Sequence, residues 1–254
     1  MQPDRSGTTP GIFITGTNTG VGKTVVSTAL VRLLAAQGRR VVGCKPVATG
    51  AGHTPSQTRL QNLDALELQA ASPGTPPYSR VNPFCFEPAI APHLAAAEAG
   101  VEMPLAALVD WYRTASAGMD VAIVEGAGGW RVPLYPDGFL SDLPEKLGLG
   151  VILVVGLTLG CLNHARLTAE VIAASGRCRW LGWIGNAIDP AFARRDANIA
   201  TLTSLLGGPP LTLVPDIAHR PRSPRGTPLL DLGGEPRLNS TLQQFLAQAP
   251  PPPA

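Results

Sequence analysis

A nine-residue glycine-rich segment, Gly16-Thr17-Asn18-Thr19-Gly20-Val21-Gly22-Lys23-Thr24, separates a β-type apolar run at 12–15 from a segment at 23–37. In the latter, Val25, Val26, Ala29, Leu30, Leu33 and Leu34 recur at helical spacing, and Gly38 stops the pattern. A strand that feeds a tight loop and then a helix aims successive backbone N–H groups, and the positive end of the helix, at one point where an anion can bind. Lys23 adds a compact charge at that point, and the Thr24 hydroxyl can ligate magnesium. The spacing departs from the strict phosphate-loop pattern. Thr17 occupies the first glycine position, and Gly16 lies one residue earlier. The junction reads as a nucleotide-phosphate loop; a plain glycine-rich βα turn is the alternative.

Beyond the loop, strand-like and helical patterns alternate. Short Val, Ile and Leu runs at 41–44, 121–124, 151–155, 181–184 and 211–214 predict strands, and helical patterns lie at 64–70, 104–116, 165–174 and 197–206. The strands lack polar alternation, as a sheet covered on both faces requires. The expected fold is α/β, with a mainly parallel sheet, helices on both faces and ligands at the carboxyl ends of the strands. One domain over 11–248 is expected, with a loose extension at 1–10 and a disordered proline-rich tail at 249–254. Residues 50–62 read as a polar loop. Residues 72–92, with six prolines, read as an irregular connection. The uncharged stretch at 147–162 is too short and too glycine-broken to span a membrane.

Composition narrows the function. The formal net charge of +2 argues against a dedicated nucleic-acid binder. Cys44, Cys85, Cys161 and Cys178 form no CxxC pair, which suits reduced thiols in the cytoplasm rather than a disulfide framework or zinc site. Seventeen of the twenty basic residues are arginine; only Lys23, Lys45 and Lys146 are lysine. A lysine kept in such a chain suggests a need for a point charge.

Three further segments carry chemistry. Lys45, in GCKPVATG at 43–50, follows the second strand, so a parallel sheet brings it and Thr49 beside the phosphate loop. Glu125 ends the strand at 121–124 and precedes Gly126-Ala127-Gly128-Gly129, an arrangement like the second magnesium-holding acid of phosphate-loop enzymes. Asp64, early in a helix, is a weaker metal candidate. At 156–164, GLTLGCLNH joins a strand to a helix whose first amides could bind a carboxylate; a plain Asn163 cap is the alternative. Cys161 reads as a packed residue, with no base to activate it. The arginine-rich run at 220–225 reads as a solvated loop.

Taken in order, GTNTGVGKT, CKPVATG, NLDALEL, VNPF, APH, VEGAGGW, VILVVGLTLGCLNHA, GNAID and VPD closely resemble the dethiobiotin synthetase family over about residues 12–215. The resemblance implies a cytoplasmic homodimer of P-loop NTPase-like α/β subunits. Its reaction turns 7,8-diaminononanoate, carbon dioxide (or bicarbonate) and ATP into dethiobiotin, with Mg2+ as cofactor. One amine forms a carbamate, ATP phosphorylates it, and the second amine closes the ureido ring. By the same resemblance, Gly20, Val21, Gly22, Lys23, Thr24 and Val25 bind nucleotide phosphates, and Asn186 and Pro215 line the adenine pocket. Thr24, Asp64 and Glu125 position magnesium. Lys45 holds the carbamate and, with Lys23 and Thr19, serves catalysis, while Thr49 contacts the substrate. Gly160, Cys161 and Asn163 of the partner subunit hold the substrate carboxylate. Asn18, Gly20, Thr49 and Asn198 depart from residues frequent in the family. Two rivals remain open: a related ATP-dependent amide-forming synthetase, and an ATPase switch of the ParA/MinD kind. The first usually carries an amidase domain, and the second carries an extra lysine early in the loop. No nucleic-acid or membrane partner is expected.

Overall fold

The computed structural model describes residues 8–53, 59–135, 138–216 and 220–248. Six strands form one parallel sheet: β1 (Gly11–Gly16), β2 (Val41–Cys44), β3 (Val121–Glu125), β4 (Gly150–Gly156), β5 (Arg179–Asn186) and β6 (Thr212–Val214). Their spatial order is β6-β5-β4-β1-β3-β2, parallel at every step. The helices are α1 (Lys23–Ala36), α2 (Leu63–Ala71), α3 (Pro92–Glu98), α4 (Leu105–Ser116), α5 (Asp142–Leu147), α6 (Cys161–Ser175), α7 (Arg195–Leu205) and α8 (Pro236–Ala247), with a four-residue turn of helix at Tyr78–Val81.

Alternate strand residues enter different cores, which is why the strands read as unbroken apolar runs. Ile12 and Ile14 pack with Leu30 and Leu34 of α1 and Leu68 of α2. Phe13 packs with Leu108 and Tyr112 of α4 on the other face. A third cluster joins Leu153 and Val155 of β4 to Ala165 of α6 and Leu202 of α7. With both faces covered, polar alternation would bury unpaired groups.

The expected strands and helices are present, several with shifted ends. Helix α2 begins earlier because Asn62 caps it, accepting bonds from the Asp64 and Ala65 amides at 3.0 and 3.4 Å. Helix α6 begins at Cys161, after Gly160 takes a left-handed conformation. The connection at 72–92 is more ordered than its prolines suggest. Pro92 sits at the start of α3, where its missing N–H costs nothing and its fixed φ suits the first turn. Pro236 opens α8 in the same way, and Leu238, Leu242 and Phe245 of that helix pack on the α1 face. The polar loop at 50–62 contains a small antiparallel pair, Gly52–His53 with Leu60–Gln61.

Within the segment expected to be a loose extension, 1–10, residues 8 and 9 are instead packed. Thr8 and Thr9 are buried; the Thr9 hydroxyl donates to the Ser116 carbonyl at 2.9 Å, and the Tyr112 hydroxyl donates to the Thr9 carbonyl at 2.8 Å. Residues 1–7 and the tail at 249–254 lie outside the described residues. Among the described residues, no helix is long and apolar enough to cross a membrane.

Candidate active site

Strand order places the candidate residues together. β3 lies between β1 and β2, and Cys44 of β2 pairs with Val124 of β3. The next residue of each strand, Lys45 and Glu125, therefore emerges side by side at the carboxyl edge. β1 ends beside them and turns into the phosphate loop.

The loop is tied down by its backbone. The Thr17 amide donates to the Val154 carbonyl at 3.0 Å, and the Asn18 side chain accepts from the Thr19 amide at 2.8 Å. Gly22 caps α1 at φ +91°, and a Cβ there would lie 2.1 Å from Nδ2 of Asn186. Only glycine fits both demands. Gly16 is needed for space, since its Cβ would meet Val21 at 2.6 Å. Asn186, at the end of β5, donates from Nδ2 to the Val21 carbonyl at 2.9 Å. Lys23 turns back over the loop, with Nζ 3.0 Å from the Asn18 carbonyl and 2.7 Å from that of Gly128. Burial, then the neighbouring charge of Lys45, lowers its pKa to about 8.

Behind Lys23 lies a charge cluster. Lys45 Nζ is 2.6 Å from Oε1 of Glu125, 3.1 Å from Oδ2 of Asp64 and 3.3 Å from the Gly126 carbonyl. The Lys45 and Glu125 side chains are 5% and 1% exposed. The Thr24 hydroxyl donates to the same Glu125 oxygen at 2.9 Å. Burial alone would push the Lys45 pKa down, but Glu125 and Asp64 hold it above its ordinary value. Burial pushes the Glu125 carboxyl up while Lys45 pulls the other way. Burial also opposes ionisation of Asp64, yet Lys45 keeps its pKa low. The short charge-assisted contact favours the ionised form of both Lys45 and Glu125, against their burial. Glu125 Oε2 is buried with no partner among the described residues. An orphan carboxylate oxygen beside a hydroxyl and a second carboxylate is a hard, all-oxygen donor set that suits magnesium.

Comparison with known proteins gives this geometry its setting. Residues 10–220 match a protein family described as an AAA domain. The chain is 48% identical over 200 residues to the ATP-dependent dethiobiotin synthetase BioD of Xanthomonas axonopodis pv. citri, covering 79% of this chain and 88% of the relative. It is 48% identical to the synthetase of the same name from Chromohalobacter salexigens, over 81% of this chain and 90% of that one. The chain belongs to the dethiobiotin synthetase family. Among solved structures, a ParA family ATPase from Chlorobium tepidum superposes with a TM-score of 0.53 at 14% identity, covering 96% of both chains. The septum site-determining protein MinD from Pyrococcus horikoshii gives 0.52 at 19% identity, covering 95% of this chain and 92% of that one. At such identities these two establish a phosphate-loop ATPase fold and nothing about activity.

Within the family frame, one cleft of about 1060 Å3 gathers most of the sequence candidates: Thr19, Gly20, Gly22, Lys23, Thr24 and Val25 from the loop, with Lys45, Thr49, Asp64 and Glu125 opposite. Val21 does not line it; its side chain is buried, and its contribution is the carbonyl bound by Asn186. Asn186 and Pro215 also lie outside the cleft lining. Asn186 ends β5 and pairs with Val214, the last residue of β6, which Pro215 follows, so both lie at one edge of the sheet. Gly160, Cys161 and Asn163 are absent from the cleft lining of their own chain. Burial raises the Cys161 thiol pKa, as expected for a packed residue rather than a nucleophile.

Sequence reasoning missed the residues that hold Lys45 in place. Asn82 donates from Nδ2 to the Lys45 carbonyl at 2.7 Å, and the Lys45 amide donates to the Val81 carbonyl at 2.8 Å. Tyr78 donates to Asn82 Oδ1 at 2.8 Å and accepts from the Asn62 amide at 2.8 Å. Asn62 itself donates to the Thr49 carbonyl at 3.0 Å. The signal was present as polar residues inside a proline-rich segment, but what they bind is set by tertiary contact. Arg222 and Arg225, assigned to a solvated loop, are exposed and also line the cleft.

Proposed function

We propose that this cleft carries out ATP-dependent closure of 7,8-diaminononanoate and carbon dioxide to dethiobiotin. The observation that carries the reading is Lys45, a buried ammonium between Asp64 and Glu125, in the same cleft as Lys23 and the phosphate loop. A pure nucleotide-binding module has no use for a second buried cation at that point.

In this reading, Lys23 and the loop amides from Gly20 to Val25 hold the β- and γ-phosphates. Thr24, Asp64 and Glu125 hold Mg2+, which draws charge from the phosphate oxygens when bound. Lys45 then turns from its two carboxylates toward the carbamate that one substrate amine forms with carbon dioxide. A carbamate oxygen attacks the γ-phosphorus and ADP leaves. The second amine attacks the carbamoyl carbon, phosphate departs with the bonding electrons, and the nitrogen loses its proton as the ring closes. The carbamate oxygen is already anionic, so no general base is required for phosphorylation. The contribution of the chain is positioning and charge stabilisation, with Thr19 and Thr49 as nearby hydrogen-bonding groups.

The substrate carboxylate lies in a second subunit's Gly160–Asn163 turn, at the amino end of α6. Exposed apolar side chains support a covered face: Leu159 is 94% exposed beside that turn, and Leu63, Leu94 and Leu167 are also exposed. Asn186 and Pro215 face the nucleotide base. The four free thiols suit a cytoplasmic enzyme.

The test is direct. The purified chain is incubated with ATP, Mg2+, bicarbonate and the diamine, and the product is weighed by mass spectrometry. A ring-closed product of dethiobiotin's mass is expected; nucleotide binding with no such product would overturn the reading.

A further inference from the structure

The cleft is lined by six charged side chains: Lys23, Lys45, Arg222 and Arg225 against Asp64 and Glu125. The two lysines are balanced by the two carboxylates within the charge cluster. The surplus positive charge therefore resides on the arginines, which lie on an exposed turn between β6 and α8.

That loop is built to hold its shape. The Ser223 amide donates to the Thr227 carbonyl at 2.8 Å, and Gly226, at φ +92°, donates from its amide to the Ser223 carbonyl at 2.9 Å. The Ser223 hydroxyl accepts from the Arg225 and Thr227 amides at 3.2 and 3.1 Å. Nη1 of Arg222 donates to the Gly226 carbonyl at 2.7 Å, and Arg222 bridges to Pro228. The turn is tied to α2 by a bond from the Ser223 hydroxyl to Oε1 of Glu67, a residue 1% exposed. The other Glu67 oxygen is buried with no partner among the described residues, so losing Ser223 would strip a buried carboxylate of its bond. Asp64 lies one turn earlier on the same helix. The two arginines are thus fixed relative to the proposed metal ligands.

We propose that the 222–228 turn is a phosphate clamp, in which Arg222 and Arg225 bind the polyphosphate of the nucleotide from the α2 side of the cleft. This rests on the reading of the cleft as an ATP site. A nucleoside triphosphate with one divalent cation remains dianionic, which matches the two surplus arginines. Guanidinium groups suit phosphate oxygens because their planar donors bind two at once. The substrate is a poorer match, since it carries two amines and a single carboxylate.

Calorimetry with Mg·ADP and with inorganic tripolyphosphate tests the clamp without any turnover. Arg222→Ala with Arg225→Ala is expected to weaken both ligands about tenfold and to flatten their salt dependence. Arg222→Lys with Arg225→Lys restores only part of the affinity, since the charge returns without the planar fork. Ser223→Ala, which frees the turn but keeps both charges, weakens both ligands about threefold. In steady state the KM for ATP rises while that for the diamine stays put. Unchanged binding of both ligands by the double alanine variant would overturn the proposal, as would a rise confined to the diamine KM. A wild-type chain that binds Mg·ADP and tripolyphosphate but makes no dethiobiotin would sink the proposed reaction and leave the clamp standing.

Discussion

The phosphate-loop wall of the cleft and the wall formed by 222–228 each end in cations, but they hold them differently. Lys23 and Lys45 are buried, with backbone carbonyls and carboxylates on their ammonium groups. Their positions follow from strand register and a glycine-tight loop. Arg222 and Arg225 are exposed, on a turn whose Ser223 hydroxyl bonds the buried Glu67. A buried, paired cation is expensive to install and acts at short range on one atom. An exposed arginine is cheap, reaches further and is screened by salt. The first kind suits charge stabilisation during reaction; the second suits capture of the nucleotide.

The sharpest way to break this contrast is Lys45→Ala. It is expected to lower kcat by about two to three orders of magnitude, because stabilisation of developing charge is lost, while Mg·ADP binding persists. Circular dichroism would check that the fold survives, and retained turnover would move Lys45 out of the chemistry. Next comes Asn82→Ala, which removes the bond to the Lys45 carbonyl but no charge. A fall in kcat of about tenfold is expected with little change in either KM, since only the placement of Lys45 is disturbed. A change in KM alone would assign Asn82 to substrate binding.

Lys23 gives a pH signature that the arginines cannot. Its free-state pKa is about 8, lowered by burial and by Lys45, and phosphate binds the ammonium form. The bound-state pKa must then lie above the free one. Affinity for metal-free ADP is full below about pH 8 and is lost as pH rises, by about tenfold between about pH 7 and about pH 9. Proton uptake on binding, read from calorimetry in buffers of different ionisation enthalpy, checks the sign; Lys23→Met removes the slope. The smallest effect is expected from Asp120→Asn. Hydrogen bonding to Arg40 lowers the Asp120 pKa, so the contribution of this exposed pair is present at neutral pH and lost only in acid, as pH falls through that lowered value. The melting temperature should barely move, and nucleotide affinity not at all.

The same two walls differ in how far they could be read from sequence. The phosphate loop, Lys45, Asp64 and Glu125 were legible because each follows a strand or opens a helix, and a parallel sheet brings such positions to one edge. The grouping of Lys45 with both acids follows from that register. Asn62, Tyr78 and Asn82 were not legible, because their roles depend on where a proline-rich segment packs. The arginine-rich turn is exposed, as expected of a solvated loop, but its place beside the cleft was not legible, because the buried Glu67 that bonds Ser223 lies 156 residues away in sequence. The helices at Pro92–Glu98 and Pro236–Ala247 were not expected from the sequence; each opens on a proline, whose fixed φ suits the first turn of a helix.

If the carbamate beside Lys45 is the phosphoryl acceptor, as proposed, phosphoryl transfer in this cleft requires the diamine. This requirement is tested most directly by Mg2+-dependent ADP release with ATP and bicarbonate, in the presence and absence of 7,8-diaminononanoate. Release is expected only with the diamine, with one ADP for each ring-closed product. Release at the same rate without the diamine would contradict the requirement and would describe a simple ATPase instead.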